Sequence, residues 1–303
     1  MRKTASLWCG YRMNKIIAEF LAAFIPDKMI RNRWRGILRY GVFNALKLMK
    51  SLKKDAPTKH YLSVCAVAKN EGIYFKEWID WHKDKGVEKF YIYDNESTDD
   101  TKEVLAPYIE AGLVEYTFWA GKKQQLAVYD DCFDRRRFEA HWIAVIDLDE
   151  FIVPVKDASI PDFLKRFEDF SAVEINWLCY GSGGANTHEA GGVMERFKHH
   201  SLHDNRINRH VKSIINPRRI LCMNGSHEAA KLTGDIADSH GNPITLNFRY
   251  REPQHDIIKI NHYAVKSYEE FLQKKARGSV RKAKKRYLYY FDKYDRNDIN
   301  EQK

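Results

Sequence analysis

Three carboxylates, Asp147, Asp149 and Glu150, stand within four positions of one another, directly after an apolar run at residues 142–146. Acids this crowded repel one another, and a cation between them removes that cost. Hard oxygen donors favour Mg²⁺ or Mn²⁺. A short continuous apolar run suits a strand buried on both faces of a parallel sheet. Alternation along that strand predicts that Asp147 and Asp149 point the same way. They would lie at the carboxyl edge, where open α/β sheets bind ligands. An acid at a strand end is expected to contribute little to the core, so removing the Asp149 charge should relieve repulsion and leave the fold intact.

The elements that must position these acids alternate between strand and helix. Residues 61–68 read as a buried strand, and 71–84 as a helix with Ile73, Trp78, Ile79, Trp81 and His82 on its inner face. Residues 89–93 form a second strand, ending in Asp94-Asn95-Glu96-Ser97. Ser97 is placed to cap a helix that Gly112 ends as a C′ residue. A third strand at 113–118 and a helix at 123–138 lead into the strand at 142–146. This spacing predicts an α/β fold with a mostly parallel sheet flanked by helices. Beyond Pro154 the pattern gives a short helix at 161–170 and strands at 172–178 and 257–261. Residues 180–210, rich in Gly and His, read as one long loop that orders when ligands bind.

Charge divides the 303 residues into three parts. Residues 1–60 carry 14 basic and 3 acidic side chains (+11), 61–265 carry 25 and 32 (−7), and 266–303 carry 12 and 6 (+6), summing to +10. The expected organisation is a basic amphipathic helical extension at 1–57, a catalytic domain at 58–265 and a basic helical extension at 266–303. In the first part, Ile16, Ile17, Phe20, Leu21, Phe24 and Ile25 share a helical face, Pro26 ends that helix, and Ile37, Leu38, Val42, Leu46 and Met49 make a second pattern. Arg31, Arg33, Arg35 and Arg39 lie between. Two readings stay open here: an element lying on an anionic membrane surface, or a helical hairpin packed on the domain with its charges solvated. The longest early apolar run, 16–25, is too short to span a bilayer, which takes about 20 residues. The opening residues lack a signal-peptide core. Five scattered cysteines without Cys-x-x-Cys favour a reducing compartment, so a cytoplasmic protein is expected, peripheral on the inner face of the plasma membrane.

The first strand-to-helix turn, Val67-Ala68-Lys69-Asn70-Glu71-Gly72, lacks Gly-x-Gly-x-x-Gly, which argues against a dinucleotide oxidoreductase. Asn70, Glu71 and Asp94 can still hydrogen-bond a base and ribose from neighbouring strand ends. Lys69-Asn70-Glu71, Glu77-Trp78-Ile79, Tyr91–Asp99 with Asp94, Asn95 and Ser97, Gln125 with Tyr129 and Cys132, and Asp147–Phe151 follow one another in order. Together they resemble the family 92 glycosyltransferases and the wider family 2-type enzymes of the GT-A fold, over about residues 61–280. The resemblance implies inverting transfer of a hexose, such as galactose, from a UDP-sugar, helped by Mn²⁺ or Mg²⁺. The acceptor it implies is a glycan or a lipid-linked saccharide. It makes Asn70, Glu71, Asn95 and Gln125 part of the nucleotide-sugar site. Asp94 would sit on uracil or ribose, Asp147 on ribose or metal, and Asp149 on the metal bridging the phosphates. His262 resembles the C-terminal histidine that completes the metal set in many GT-A enzymes. The basic N-terminus looks like that of bacterial enzymes of surface polysaccharide or lipopolysaccharide synthesis.

Inverting transfer needs a base for the acceptor hydroxyl. Chain order favours Glu228 among the acids at 189–235, with His227 beside it. Arg206, Arg209 and Lys212 form a basic cluster able to contact diphosphate. A nucleotidyltransferase would also use an acidic α/β site, but its Gly-rich basic first loop is missing. A non-catalytic basic module binding membrane or nucleic acid leaves the strand-end acids unexplained, and no nucleic-acid partner is expected.

Overall fold

The parallel strands form where apolar runs pack against helices on both faces. In the computed structural model, which describes residues 15–26, 28–52, 57–227, 229–277 and 288–301, the described chain begins with α1 (Lys15–Ala22), α2 (Lys28–Tyr40) and α3 (Val42–Ser51). Then follow β1 (His60–Ala68), α4 (Gly72–Asp84), β2 (Lys89–Asp94), α5 (Thr101–Glu110), β3 (Val114–Phe118), α6 (Gln125–Arg136), β4 (Ala140–Val145), β5 (Glu150–Pro154), α7 (Ile160–Leu164) and β6 (Ala172–Cys179). Next come α8 (Val193–Arg196), β7 (His199–His200), β8 (Val211–Ile215), β9 (Ile220–Met223), β10 (Ala229–Lys231) and β11 (Ile236–Ala237). β12 (Ile258–His262), α9 (Tyr268–Arg277), α10 (Tyr289–Tyr294) and β13 (Ile299–Asn300) close the described chain.

Among the described residues, nine strands form one sheet in the order β3-β2-β1-β4-β8-β6-β12-β5, with β11 beside β6. β3, β2, β1 and β4 are parallel. β8 runs antiparallel between β4 and β6, β12 is parallel to β6, and β5 is antiparallel to β12. The two-residue period sorts the apolar runs onto two cores. Val64, Ala66, Phe90, Ile92, Trp142 and Ala144 pack with Trp78 of α4 and Leu105 of α5. Cys65, Val67, Tyr91, Tyr93, Ile143 and Val145 pack with Val128, Tyr129 and Phe133 of α6. A strand covered on both faces has no polar positions to alternate with, so it reads as a continuous apolar run.

The link from β4 to β5 shapes the site. The two strands are four places apart in the sheet, about 19 Å if it were flat. The segment from Val145 to Glu150 could span about 17 Å fully stretched. It is not stretched: Leu148 and Asp149 form a turn in which Glu150 N donates to the Asp147 carbonyl at 3.1 Å. The sheet therefore curls until β5 approaches β4, and the acids sit where the curl closes. Three side chains of α4 pin β5 in that position. Trp78 Nε1 donates to the Glu150 carbonyl (2.9 Å) and Trp81 Nε1 to the Ile152 carbonyl (3.0 Å). His82 Nε2 accepts from Ile152 N at 3.1 Å while its Nδ1 bonds the Trp78 carbonyl at 2.8 Å.

Several expectations are corrected. Ile73 is 58% exposed, because the inward face of α4 is set by Tyr74, Phe75, Trp78, Ile79 and His82. Ser97 does not cap α5, whose N-cap is Asp100; its hydroxyl instead accepts from Asn70 N. Gly112, at φ +71°, does follow the helix as expected. Residues 180–210 are not one open loop. They hold α8, β7 and a 3₁₀ turn at 206–209, and Glu77 accepts from Val193 N and Met194 N while Glu269 accepts from His188 N. The second N-terminal pattern is broken at Gly41 (φ +96°) into α2 and α3.

The N-terminal helices pack on the domain. Tyr40, Ala45 and Leu48 share a core with Leu221, Cys222, Ala230 and Leu232 of the β9–β10 ribbon. A Cβ on Gly36 would overlap that of Ala230, so α2 lies closely against the ribbon there. The arginines reach back to the protein, although Arg33 stays exposed and Arg31, Arg35 and Arg39 are only partly buried. Arg31 donates to the Ile25 and Pro26 carbonyls, and Arg33 to that of Leu232. Arg35 pairs with Glu19, and Arg39 with Asp130 of α6. The opposite face is bare: Phe20, Phe24 and Phe43 are 65%, 75% and 83% exposed.

Candidate active site

At the carboxyl ends of β1 and β2, polar side chains are spent fixing two loops. Asn70, at φ +50°, receives Thr98 N on its Oδ1 at 2.7 Å. Asp94 is buried; Oδ1 accepts from Ser97 N (3.0 Å) and Oδ2 from the Tyr116 hydroxyl (2.6 Å). Asn95 Nδ2 donates to the Trp119 and Gly121 carbonyls at 2.8 and 2.9 Å, which shapes the loop after β3. Glu71 is ion-paired with Arg277, which also donates to the Asn70 carbonyl at 2.8 Å. A carboxylate offers about four lone-pair sites, so Asp94 keeps capacity for a ligand group.

The acids form two groups rather than one. Asp147 accepts from Lys212 Nζ at 2.7 Å and from Gln125 Nε2 at 3.2 Å. Gln125 also donates to the Tyr129 hydroxyl at 2.9 Å, and its Oε1 is buried without a partner. Lys212 is buried and also lies 3.1 Å from Glu150 Oε2, which accepts from Asp147 N at 2.8 Å. Burial works against the Lys212 charge, but Asp147 and Glu150 more than offset it and raise its pKa. Burial pushes Glu150 up to about 8, with Lys212 opposing and Asp147 and Asp149 reinforcing.

Asp149 faces elsewhere. It is ion-paired with Lys274 of α9, and His262 Nε2 of β12 is 3.7 Å away. Burial opposes its charge, yet Lys274 and then His262 hold its carboxyl well below the usual range. Burial in turn lowers His262, against the pull of Asp149. Donor atoms of Asp149, Glu150 and His262 lie within 4.8 Å of one another. The expected set Asp147, Asp149 and His262 is thus altered: Glu150 joins the group and Asp147 falls outside it. The reason is that β4 stops at Val145, so strand alternation no longer governs residues 147–149. Two carboxylates and an imidazole suit Mn²⁺ or Mg²⁺, provided Lys274 yields its place on Asp149.

The basic cluster expected at 206–212 also divides. Lys212 belongs to the acids, while Arg206 and Arg209 line a separate cavity with Arg249 and Tyr250. Glu228 lies outside the described residues. Beside it, His227 Nδ1 bonds the Val211 carbonyl at 2.6 Å, and its ring meets those of Trp177 and His210. Lys266, Lys274 and Arg277 were not foreseen. Lys274 falls at helical spacing from Glu270 and Phe271, all three buried, which is the local signal that it faces inward. Lys266 is buried over the Tyr74 ring (4.2 Å), and burial, with Lys274 nearby, lowers it to about 8. α9 thus ties the Asn70–Glu71 turn to Asp149 through two side chains one turn apart.

The family profile described as "Glycosyltransferase family 92" matches residues 60–299. A glycosyltransferase family 92 protein of Ricinus communis is 28% identical over 220 residues, covering 71% of this chain and 37% of its own. A galactan beta-1,4-galactosyltransferase of Arabidopsis thaliana is 30% identical over 176 residues, covering 52% and 33%. The chain therefore spans little more than a third of these curated relatives' length. They are plant proteins, so the expected bacterial character is not borne out. Among solved structures, S. aureus TarS with UDP-GlcNAc is 15% identical, with a TM-score of 0.36 over 52% of this chain and 45% of that one.

Proposed function

The chain belongs to glycosyltransferase family 92, and from that premise we propose that it moves a hexosyl group from a UDP-sugar to a saccharide acceptor with inversion. The relatives named galactan beta-1,4-galactosyltransferase favour galactose. The observation that carries the proposal is the convergence of Asp94, Asp147, Asp149, Glu150 and His262 on one edge of the curled sheet, faced by Lys266, Lys274 and Arg277. In this reading the Asn70 and Asn95 loops and Asp94 seat the uridine, and Gln125 and Asp147 orient the ribose. A divalent cation held by Asp149, Glu150 and His262 would neutralise the departing diphosphate. Lys274 must leave Asp149 before that carboxylate can bind a cation, and its ammonium then becomes available to the phosphates, with Lys266 and Arg277 on the same side of the site. Glu228 is the proposed base, on its place in the chain.

Melting the protein with a panel of UDP-sugars, with and without Mn²⁺, tests this. One UDP-sugar at 100 times its Kd should add about 2.7 kcal/mol of stability, and chelator should abolish both that shift and the transfer. Full transfer in chelator would remove the metal from the mechanism, and no shift with any nucleotide sugar would remove the donor.

We further propose that the bare face of α1–α3 rests on an anionic membrane, where a lipid-linked saccharide would be presented. The support is the exposed Phe20, Phe24, Phe43, Leu46 and Met49 beside Lys47 and Lys50. No described helix is long and apolar enough to cross a membrane. Each basic residue near the surface contributes about 1 kcal/mol. The protein should float with anionic vesicles in preference to neutral ones, and Phe20→Ser/Phe24→Ser/Phe43→Ser should sediment. Flotation unchanged in the triple variant would refute the assignment.

A further inference from the structure

We propose that the cavity lined by Arg206, Arg209, His210, Phe248, Arg249 and Tyr250 binds an anionic group, phosphate or carboxylate, carried by the acceptor saccharide. The cavity measures about 430 Å³, within the range of about 300–1,000 Å³ common for small-ligand sites. A relay of ring contacts links it to the acidic centre. The His210 ring stacks on Trp177 (4.9 Å, 14°), Trp177 packs on His262 (3.9 Å), and His262 is 3.7 Å from Asp149. The chain makes the same link, since the turn bearing Arg206 and Arg209 runs directly into β8, whose second residue, Lys212, holds Asp147.

The charge of the cavity is poorly matched from within. Arg209 pairs with Glu252, but among the described residues no carboxylate pairs with Arg206 or Arg249. Arg209 Nε is buried without a hydrogen-bond partner. A guanidinium matches a phosphate or carboxylate with two parallel hydrogen bonds. Tyr250, 74% exposed, adds an aromatic face with a polar tip beside these cations. A neutral sugar would leave the Arg206 and Arg249 guanidinium groups idle, whereas a phosphorylated or uronic acceptor would use them.

That the anion belongs to an acceptor rests on the sugar-transfer reading, so binding and turnover are measured separately. Calorimetry on the full chain would compare galactose, galactose 6-phosphate and galacturonic acid, in wild type and in Arg206→Ala/Arg249→Ala. Both replaced side chains are exposed, so the fold should be unaffected, with the melting temperature as the check. At least one anionic sugar should bind wild type about 10- to 100-fold more tightly than galactose, and whichever leads identifies phosphate or carboxylate as the group. The double variant should lose that preference while its UDP-sugar affinity is unchanged. Equal binding of the charged and neutral sugars, or a preference surviving in the variant, would overturn the proposal. Failure of every UDP-sugar to bind, with the anion preference intact, would instead strike the transfer reading.

Discussion

Asp149→Asn is expected to lower the rate of sugar transfer by about 10²–10³, the cost of one electrostatic contact to the developing charge, roughly 3–4 kcal/mol. Asp149 is the acid that both His262 and Lys274 address, so it is the hinge between the proposed metal set and the cations of α9. The substitution should not leave stability untouched, as the sequence alone suggested. Asp149 is buried, and its removal leaves the buried Lys274 ammonium with less compensation, at a cost of about 1–3 kcal/mol. Lys274→Met in the same chain should recover that stability without recovering transfer. Kinetics and denaturation on the two variants separate the roles: near wild-type transfer by Asp149→Asn would end the mechanism, and parallel recovery of stability and rate would make Asp149 merely structural.

Acid should weaken the protein through His82. Burial lowers this imidazole to about 4 from an ordinary 6.5. Because the folded value is the lower one, the unfolded chain takes up the proton first as pH falls. The neutral ring's contribution is complete above pH 6.5 and is lost progressively towards pH 4, about 3 kcal/mol in all. His82→Gln should lose about 1–3 kcal/mol at pH 7, since the Ile152 amide loses its ring acceptor. It should then decline less steeply than wild type between pH 6.5 and 4. Denaturant midpoints across that range decide the matter; curves that fall in parallel would assign the acid sensitivity to other histidines.

The parallel half of the sheet was legible because apolar runs bounded by Asp, Asn and Gly mark strands that helices cover on both faces. Asp94, Asp147 and Asp149 were legible for the same reason: each follows such a run. β5 was not, since Glu150 reads as the third acid of the cluster and not as the first residue of a buried strand. Lys212 lies 65 residues from Asp147, and Lys274 lies 125 from Asp149. Neither has a local pattern that announces an acid as its neighbour, because burial of a lysine is decided by where the curled sheet brings distant segments. The arginines of α2 left two readings open. Positive charge in series resembles a surface for lipid, yet each of the four is engaged by a carbonyl or a carboxylate.

Recognisable kinship begins at residue 60, but the unit that folds begins earlier. The β9–β10 ribbon joins no other strand among the described residues, and an isolated two-stranded ribbon is marginal in water. α2 and α3 supply its missing layer. A chain trimmed to residue 60 would bare Leu221, Ala230 and Leu232 and strip Asp130 of Arg39. The matched region and the packed one therefore differ in length, and forms shortened to residue 60 should aggregate through that ribbon.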